Sequence, residues 1–260
     1  LVSFGEANKF DRYLLMGGYQ DPVNPVITDV SVDVNGKSTI SWLPSSGADF
    51  YAIYKQDEFG VWVTIDSVFG VNNTVYTDGN SDALNTSELF SVRALDSCGN
   101  ASATSLEHNS MNLEAVLRAC DHTINMDWNE YINWDGGTHH YEVVINETSC
   151  GIDPRNNVRL EGNVTDFVLE NIIHSCTYDI YILAYNSDSS YAAVSDQILH
   201  VADLPKKPDF NYITKSTVNH NDGAIEISCY IDQTAIVDYY SIYRSEEDNN
   251  VFNKINDIAF

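Results

Sequence analysis

The sequence predicts an all-β chain folded as immunoglobulin-like sandwiches in tandem. One observation is a phrase that recurs three times, at a spacing of about 90 residues, the length of one such sandwich. A second is the residue stock, with 16 Tyr and 10 Phe against 3 Met, which suits sheets better than helices. A third is period-two alternation through the recurring segments, the mark of half-buried strands. In the first copy the phrase reads STISW, FYAIYK and LFSVRALD; in the second TINMDW, HYEVVI and TYDIYILAYN; in the third AIEISCYI and YYSIYRS.

Residues 1–24 are Gly-rich and irregular, and read as a linker or the tail of an upstream domain. Pro22 and Pro25 close this segment, because each fixes φ and withholds a backbone donor. Module one, residues 25–110, opens with the loosely alternating Ile27, Val30, Val32 and Val34, then turns at Asn35-Gly36. Its second strand carries Trp42. Its third sets Phe50, Ala52 and Tyr54 on one face and Tyr51, Ile53 and Lys55 on the other. VWVTIDSV, TVYTD and LFSVRALD follow, before a tight turn at Ser97–Asn100. Module two, residues 111–203, begins with almost no linker, which predicts a restricted hinge. Its strands are MNLEAVLRA, the one ending at Trp128, HYEVVI, VRLEG, TDFVLENI and TYDIYILAYN, with a turn at Trp134–Gly137. LPKKP is a short stiff linker. Residues 204–260 predict an incomplete third module, exposing an inner face and an unpaired strand edge. The natural chain is therefore expected to continue, and the opening at Leu1 reads as a mature or excised piece.

Hydrophobic residues make up 43% of the 260, enough for true cores, while net charge is −25. That field repels phosphate backbones and anionic membranes, so nucleic-acid binding is excluded as a role. No apolar run reaches the roughly 20 residues of a membrane helix. Cys98, Cys120, Cys150, Cys176 and Cys229 include no CxxC, so zinc and dithiol chemistry lack their spacing, and an oxidising export compartment is the natural reading.

The strand-B Trp, the strand-C Tyr and the aromatic-x-Val-x-Ala pattern of strand F resemble fibronectin type III modules. VRALDSCGNAS, HNSMNLEAVLRAC, MDWNEYINWDGGTHHYEV and KPDFNYITKSTV further resemble tandem modules of large secreted Bacteroidota proteins. Those proteins carry a gliding-motility-associated C-terminal domain, which sorts them to type IX secretion. The resemblance covers roughly residues 25–245 and implies a cell-surface or secreted protein without catalytic residues. In the resembling proteins a Cys often sits where His200 stands here, while Cys150 is extra. In a type III sandwich, strands C and F are antiparallel neighbours. The end of C at Cys150 then lies beside the start of F at Cys176, and a Cys150–Cys176 disulfide is expected. Cys120 is the rival partner at that pole, Cys98 lies at the opposite pole from the module junction, and Cys229 is expected as a buried free thiol on strand B.

Catalytic signatures are missing. There is no GxSxG, SxxK, GxGxxG or phosphate-binding loop, and the His residues form no HExxH. His139 and His140 are adjacent on a strand and point to opposite faces; His108 and His122 read as solvated or capping residues. Asp78, Asn80 and Asp82 start like a calcium loop, but Ala83 and Leu89 stand where that loop needs Gly and Glu. Calcium is thus a weak cofactor candidate, and a structural turn is the plainer reading. Asp127, Glu130, Asp135 and Glu142 cluster around the second B–C turn, and read as a solvated acidic rim rather than a glycosidase pair. Trp42 and Trp128 are core plugs by position. Trp134 beside Tyr131 is the candidate carbohydrate-stacking platform, set against packing over the sandwich end. Asn72, Asn85, Asn100, Asn146 and Asn163 open N-x-S/T sequons, which an Asn-rich chain produces by chance.

These readings leave three functions open. The first is a non-catalytic surface spacer or adhesion segment with protein or glycan partners. The second is a set of accessory glycan-binding modules of a polysaccharide-degrading enzyme. The third is a eukaryotic adhesion receptor ectodomain.

Overall fold

The computed structural model describes residues 21–151, 155–245 and 251–259, so the expected linker over residues 1–24 falls almost wholly outside the described residues. Among the described residues there are strands and no helices.

Module one runs β1 (Ile27–Val32), β2 (Ser38–Trp42), β3 (Phe50–Gln56), β4 (Trp62–Phe69), β5 (Val75–Thr77), β6 (Leu89–Leu95), β7 (Ala101–Thr104) and β8 (His108–Asn109). One sheet has the order β1-β2-β5 and the other β4-β3-β6-β7, with β8 also on β6. Module two repeats this with β9 (Leu113–Arg118), β10 (Thr123–Trp128), β11 (Thr138–Thr148), β12 (Val158–Glu161), β13 (Asp166–Leu169), β14 (Thr177–Asn186), β15 (Ala192–Val194) and β16 (Ile198–Val201). Its sheets are β13-β10-β9 and β12-β11-β14-β15, with β16 on β14. A-B-E facing C′-C-F-G is the strand order of a fibronectin type III sandwich.

Alternation makes each core. Ser38, Ile40 and Trp42 turn inward from β2 and Ile124, Met126 and Trp128 from β10, while the residues between them face outward. In β14 every second residue from Tyr178 to Asn186 is buried. The two Trp-plus-Tyr plugs are equivalent: Trp42 meets Tyr51 and Trp128 meets Tyr141 edge to face, at 5.2 and 5.6 Å. A quadrupole prefers this arrangement to a face-to-face sandwich.

Residues beyond Leu204 form two ribbons, β17 (Asn211–Val218) with β18 (Ile225–Ile231), and β19 (Tyr239–Arg244) with β20 (Asn253–Ala259). Their side chains stay largely exposed. Cys229 is accordingly an exposed free thiol rather than a buried one, on an open cleft that it lines together with Tyr240, Ile242 and Ile258 of the second ribbon.

Candidate functional site

The junction of modules one and two is bridged by hydrogen bonds from both sides. It begins with an edge problem. Strand β1 borders its sheet, so alternate N–H and C=O groups have no strand partner, and buried ones must find another. The B–C loop of module two supplies it. Val30 N–H donates to the Tyr131 hydroxyl at 2.9 Å, and the Trp134 indole N–H donates to Thr28 O at 2.6 Å. Val194 N–H in turn donates to Ser31 Oγ at 3.2 Å.

The loop is held for this task. Tyr131 N–H donates to the Tyr141 hydroxyl, and Thr138 Oγ1 donates to Tyr131 O. Asn133, Gly136 and Gly137 adopt positive φ, which lets the chain double back. Tyr131 and Trp134 stack with centroids 4.0 Å apart. From module one, His108 brings Nδ1 to 3.0 Å from the Tyr131 hydroxyl. The linking residues are tied as well. Asn109 bonds Glu130 O and Ile132 N–H, Asn112 bonds Ala83 O, and Asn133 bonds Glu107 O.

Tyr131 and Trp134 are only 1% and 8% exposed. Neither is the open stacking platform the sequence suggested, because their ring faces are spent on each other and on module one. His108, expected at the surface, is 3% exposed, and burial pushes its pKa down to about 4. Burial also raises the Tyr131 hydroxyl well above its ordinary value. Asp196, between β15 and β16, is buried and raised to about 6 by that burial, although it accepts Leu113 N–H. Beside the interface lies an open cleft of about 640 Å³, lined by Trp134, His108, Asp135, Asn186, Asp188 and Tyr191 among others.

The remaining predicted residues separate. Cys150 and Cys176 are joined by a disulfide, which fits an oxidising compartment; Cys98 and Cys120 are exposed free thiols. Asp78 is buried and faces Lys55, with Oδ2 2.8 Å from Nζ, while Oδ1 accepts Asn80 N–H. Asp82 accepts from Asn85 instead, so the loop's oxygens do not converge. Glu142 bonds Asn157 and Tyr185. His139 and His140 bring their Nδ1 atoms to 3.3 Å, but no group of three or more His, Cys, Asp or Glu among the described residues is placed to hold a metal. His200 bonds Ala115 O. Sequence reasoning missed the burial of His108, whose partner arrives from the next module, and the ions around Lys55, whose carboxylates lie 23 and 33 residues away.

Among solved structures the chain is similar to the FN1-FN3 domains of chicken CNTN1, at 18% identity over 70% of this chain and 65% of that one, with a TM-score of 0.28. It is similar to the central fibronectin-III array of RIM-binding protein, at 15% identity over 79% and 78%, with a TM-score of 0.28. A two-domain segment of chicken tenascin gives 15% identity over 71% and 99%, with a TM-score of 0.27. The chain thus spans less than two thirds of the CNTN1 fragment. No protein-family profile matches the chain, and no curated protein is similar to it.

Proposed function

We propose that this chain is a non-catalytic spacer and adhesion segment of a large exported bacterial surface protein, which holds its modules in fixed relative orientation. The observation that carries the reading is the buried junction. A flexible linker would leave the β1 edge to solvent, whereas here Tyr131 and Trp134 of module two satisfy it. Spacer function follows physically: a rod transmits position only if its joints resist bending. The disulfide and the acidic surface favour an extracellular setting, and the motif order shared with type IX-secreted Bacteroidota proteins supports a bacterial one over a receptor ectodomain. The partners are proteins or glycans at the cell surface. Spin labels on β4 and β12, read by pulsed dipolar spectroscopy, test it. One narrow distance distribution is expected, and a broad one spanning tens of ångströms defeats the spacer reading.

A second reading, accessory glycan binding, is favoured by the junction cleft, where Tyr191 borders amide, hydroxyl and carboxylate groups. Such a site would select neutral sugars, since net charge −25 repels acidic ones. A glycan array probed with wild type and Tyr191→Ala tests it: binding lost in the variant supports the cleft, and no binding by wild type removes it.

A further inference from the structure

Module one carries ions where module two carries core. The two sandwiches correspond by register, with Trp42 matching Trp128 on strand B and the facing pairs Tyr51–Ala94 and Tyr141–Ala184 on strands C and F. On that register Ser38, Lys55, Asp78 and Glu88 stand where module two has Ile124, Ile145, Leu169 and Tyr178. The four module-two residues are all fully buried core. A buried ion pair gains little stability net of desolvation, and an apolar replacement of similar shape is commonly as good or better. Module two shows that apolar solution on the same frame, so the ions of module one call for another reason.

Their geometry suggests one. Lys55 continues the inward face of β3 after Tyr51 and Ile53. Its Nζ lies 2.8 Å from Asp78 Oδ2 and 2.6 Å from Glu88 Oε1, with both carboxylates 4% exposed and the lysine 18%. The Phe90 ring packs 5.5 Å from Nζ. Glu88 is fixed by the Ser38 and Ser81 hydroxyls on Oε2 and by Asp82 N–H on Oε1. Asp78 is fixed by Asn80 N–H on Oδ1. The amine nitrogen is therefore held in hydrogen-bond contact with an oxygen bonded to the Asp78 Cγ carbon, and with a second carboxylate in equal reach.

We propose that Lys55 and Asp78 are the two halves of an intramolecular isopeptide cross-link, which the folded chain forms itself with Glu88 as proton carrier. The step balances without any co-reactant. A proton passes from the Lys55 ammonium to Asp78, exchanging a buried ion pair for a neutral amine and acid that need less solvation. Nζ attacks Cγ while Glu88 takes a second proton from nitrogen. Glu88 then returns that proton to the departing hydroxyl, which leaves as water. One N–C bond forms, one C–O bond breaks, and of the three ammonium protons one stays on the amide and two leave in the water. Fixed proximity supplies the effective concentration that free lysine and aspartate lack. The bond would join β3 to the residue following β5, and so tie the two sheets of module one covalently, as Cys150–Cys176 ties strand C to strand F in module two.

Mass spectrometry of the whole chain decides it. After full reduction and denaturation, the protein should weigh one water less than its sequence, about 18 Da. Asp78-Gly79 can lose the same water by closing a succinimide, so the digest separates the two. The cross-link gives a tryptic peptide uncut at Lys55 and joined to the one bearing Asp78, and it survives hydroxylamine. A succinimide leaves Lys55 cleavable and no joined peptide, and that result, like full sequence mass after prolonged incubation of the folded protein, overturns the proposal. Glu88→Gln should give full mass with an unchanged circular dichroism spectrum; a joined peptide in that variant overturns the role of Glu88. Lys55→Arg, which retains the charge without the primary amine, should also give full mass, and a joined peptide there refutes the assignment.

Discussion

Trp42 and Trp128 show what a single residue can be read for. Each ends strand B on an inward position, and each is buried, at 2% and 5% exposure. Truncating either to Ala leaves a large cavity beside Tyr51 or Tyr141, and should cost about 3–5 kcal/mol in denaturant unfolding; a loss below about 1 kcal/mol would contradict the packing described. His108 and Asp196 were not legible in this way, because their burial depends on contacts from other elements. Their titrations oppose each other. Folded His108, at about 4, binds a proton less readily than its ordinary 6.5 allows, so its contribution to stability falls as pH drops through that window. Folded Asp196, at about 6, binds one more readily than its ordinary 3.8 allows, so its contribution rises as pH drops from about 6 towards 3.8. Each is worth on the order of 3 kcal/mol across its window, and together they largely cancel. Asp196→Asn keeps the acceptor for Leu113 N–H and removes one side of the balance. Chemical denaturation between pH about 4 and 6.5 should show its stability falling more steeply with acid than wild type. His108→Gln should show the reverse slope, and parallel slopes in all three proteins would mean that these groups are not buried as described.

At the scale of elements, the repeated phrase located strands B, C and F because each carries alternating aromatics through a core. Strand G was poorly legible, and its structure explains why. In both modules it is broken at a serine. Ser105 N–H donates to Val92 O at 2.7 Å while Val92 N–H donates to Ser105 Oγ at 3.0 Å; Ser195 and Ile182 repeat the exchange at 2.9 Å each way. Each hydroxyl then donates to the next carbonyl, Leu106 O or Asp196 O. The side chain stands in for a ladder acceptor where the strand steps from β7 to β8 or from β15 to β16. Small residues at such a step leave no hydrophobic period to detect. Ser195→Ala removes the acceptor and leaves Ile182 N–H buried and unpaired, which should cost about 1–3 kcal/mol and speed amide exchange at Ile182. Unchanged exchange there would show that the hydroxyl is dispensable.

The whole molecule adds what neither module has alone. Two sandwiches were legible from spacing, and the near absence of a linker predicted a restricted hinge, but the joint itself was not. Its hydrogen bonds span 101 and 106 residues in sequence, and Trp134 reads, in isolation, as an exposed turn residue. Only when module two sits against β1 does the purpose of its B–C loop become physical: the loop pairs the edge groups of a strand in another module. Coupled unfolding follows. While the junction is formed, melting either module exposes Tyr131, Trp134 and the β1 edge, so each module borrows stability from its neighbour. Trp134→Ala removes the donor to Thr28 O and the ring stacked on Tyr131, yet it leaves the Trp42–Tyr51 and Trp128–Tyr141 pairs in place. Calorimetry of the variant should therefore resolve two transitions where wild type shows a more unified one, the lower of them shifted down by roughly 4–8 °C per kcal/mol lost from a module of this size. Each module expressed alone, which lacks the remaining junction bonds as well, should melt at or below its transition in the variant. If the variant instead melts as wild type does, the contacts at the junction carry no coupling, and the two sandwiches behave as independent beads.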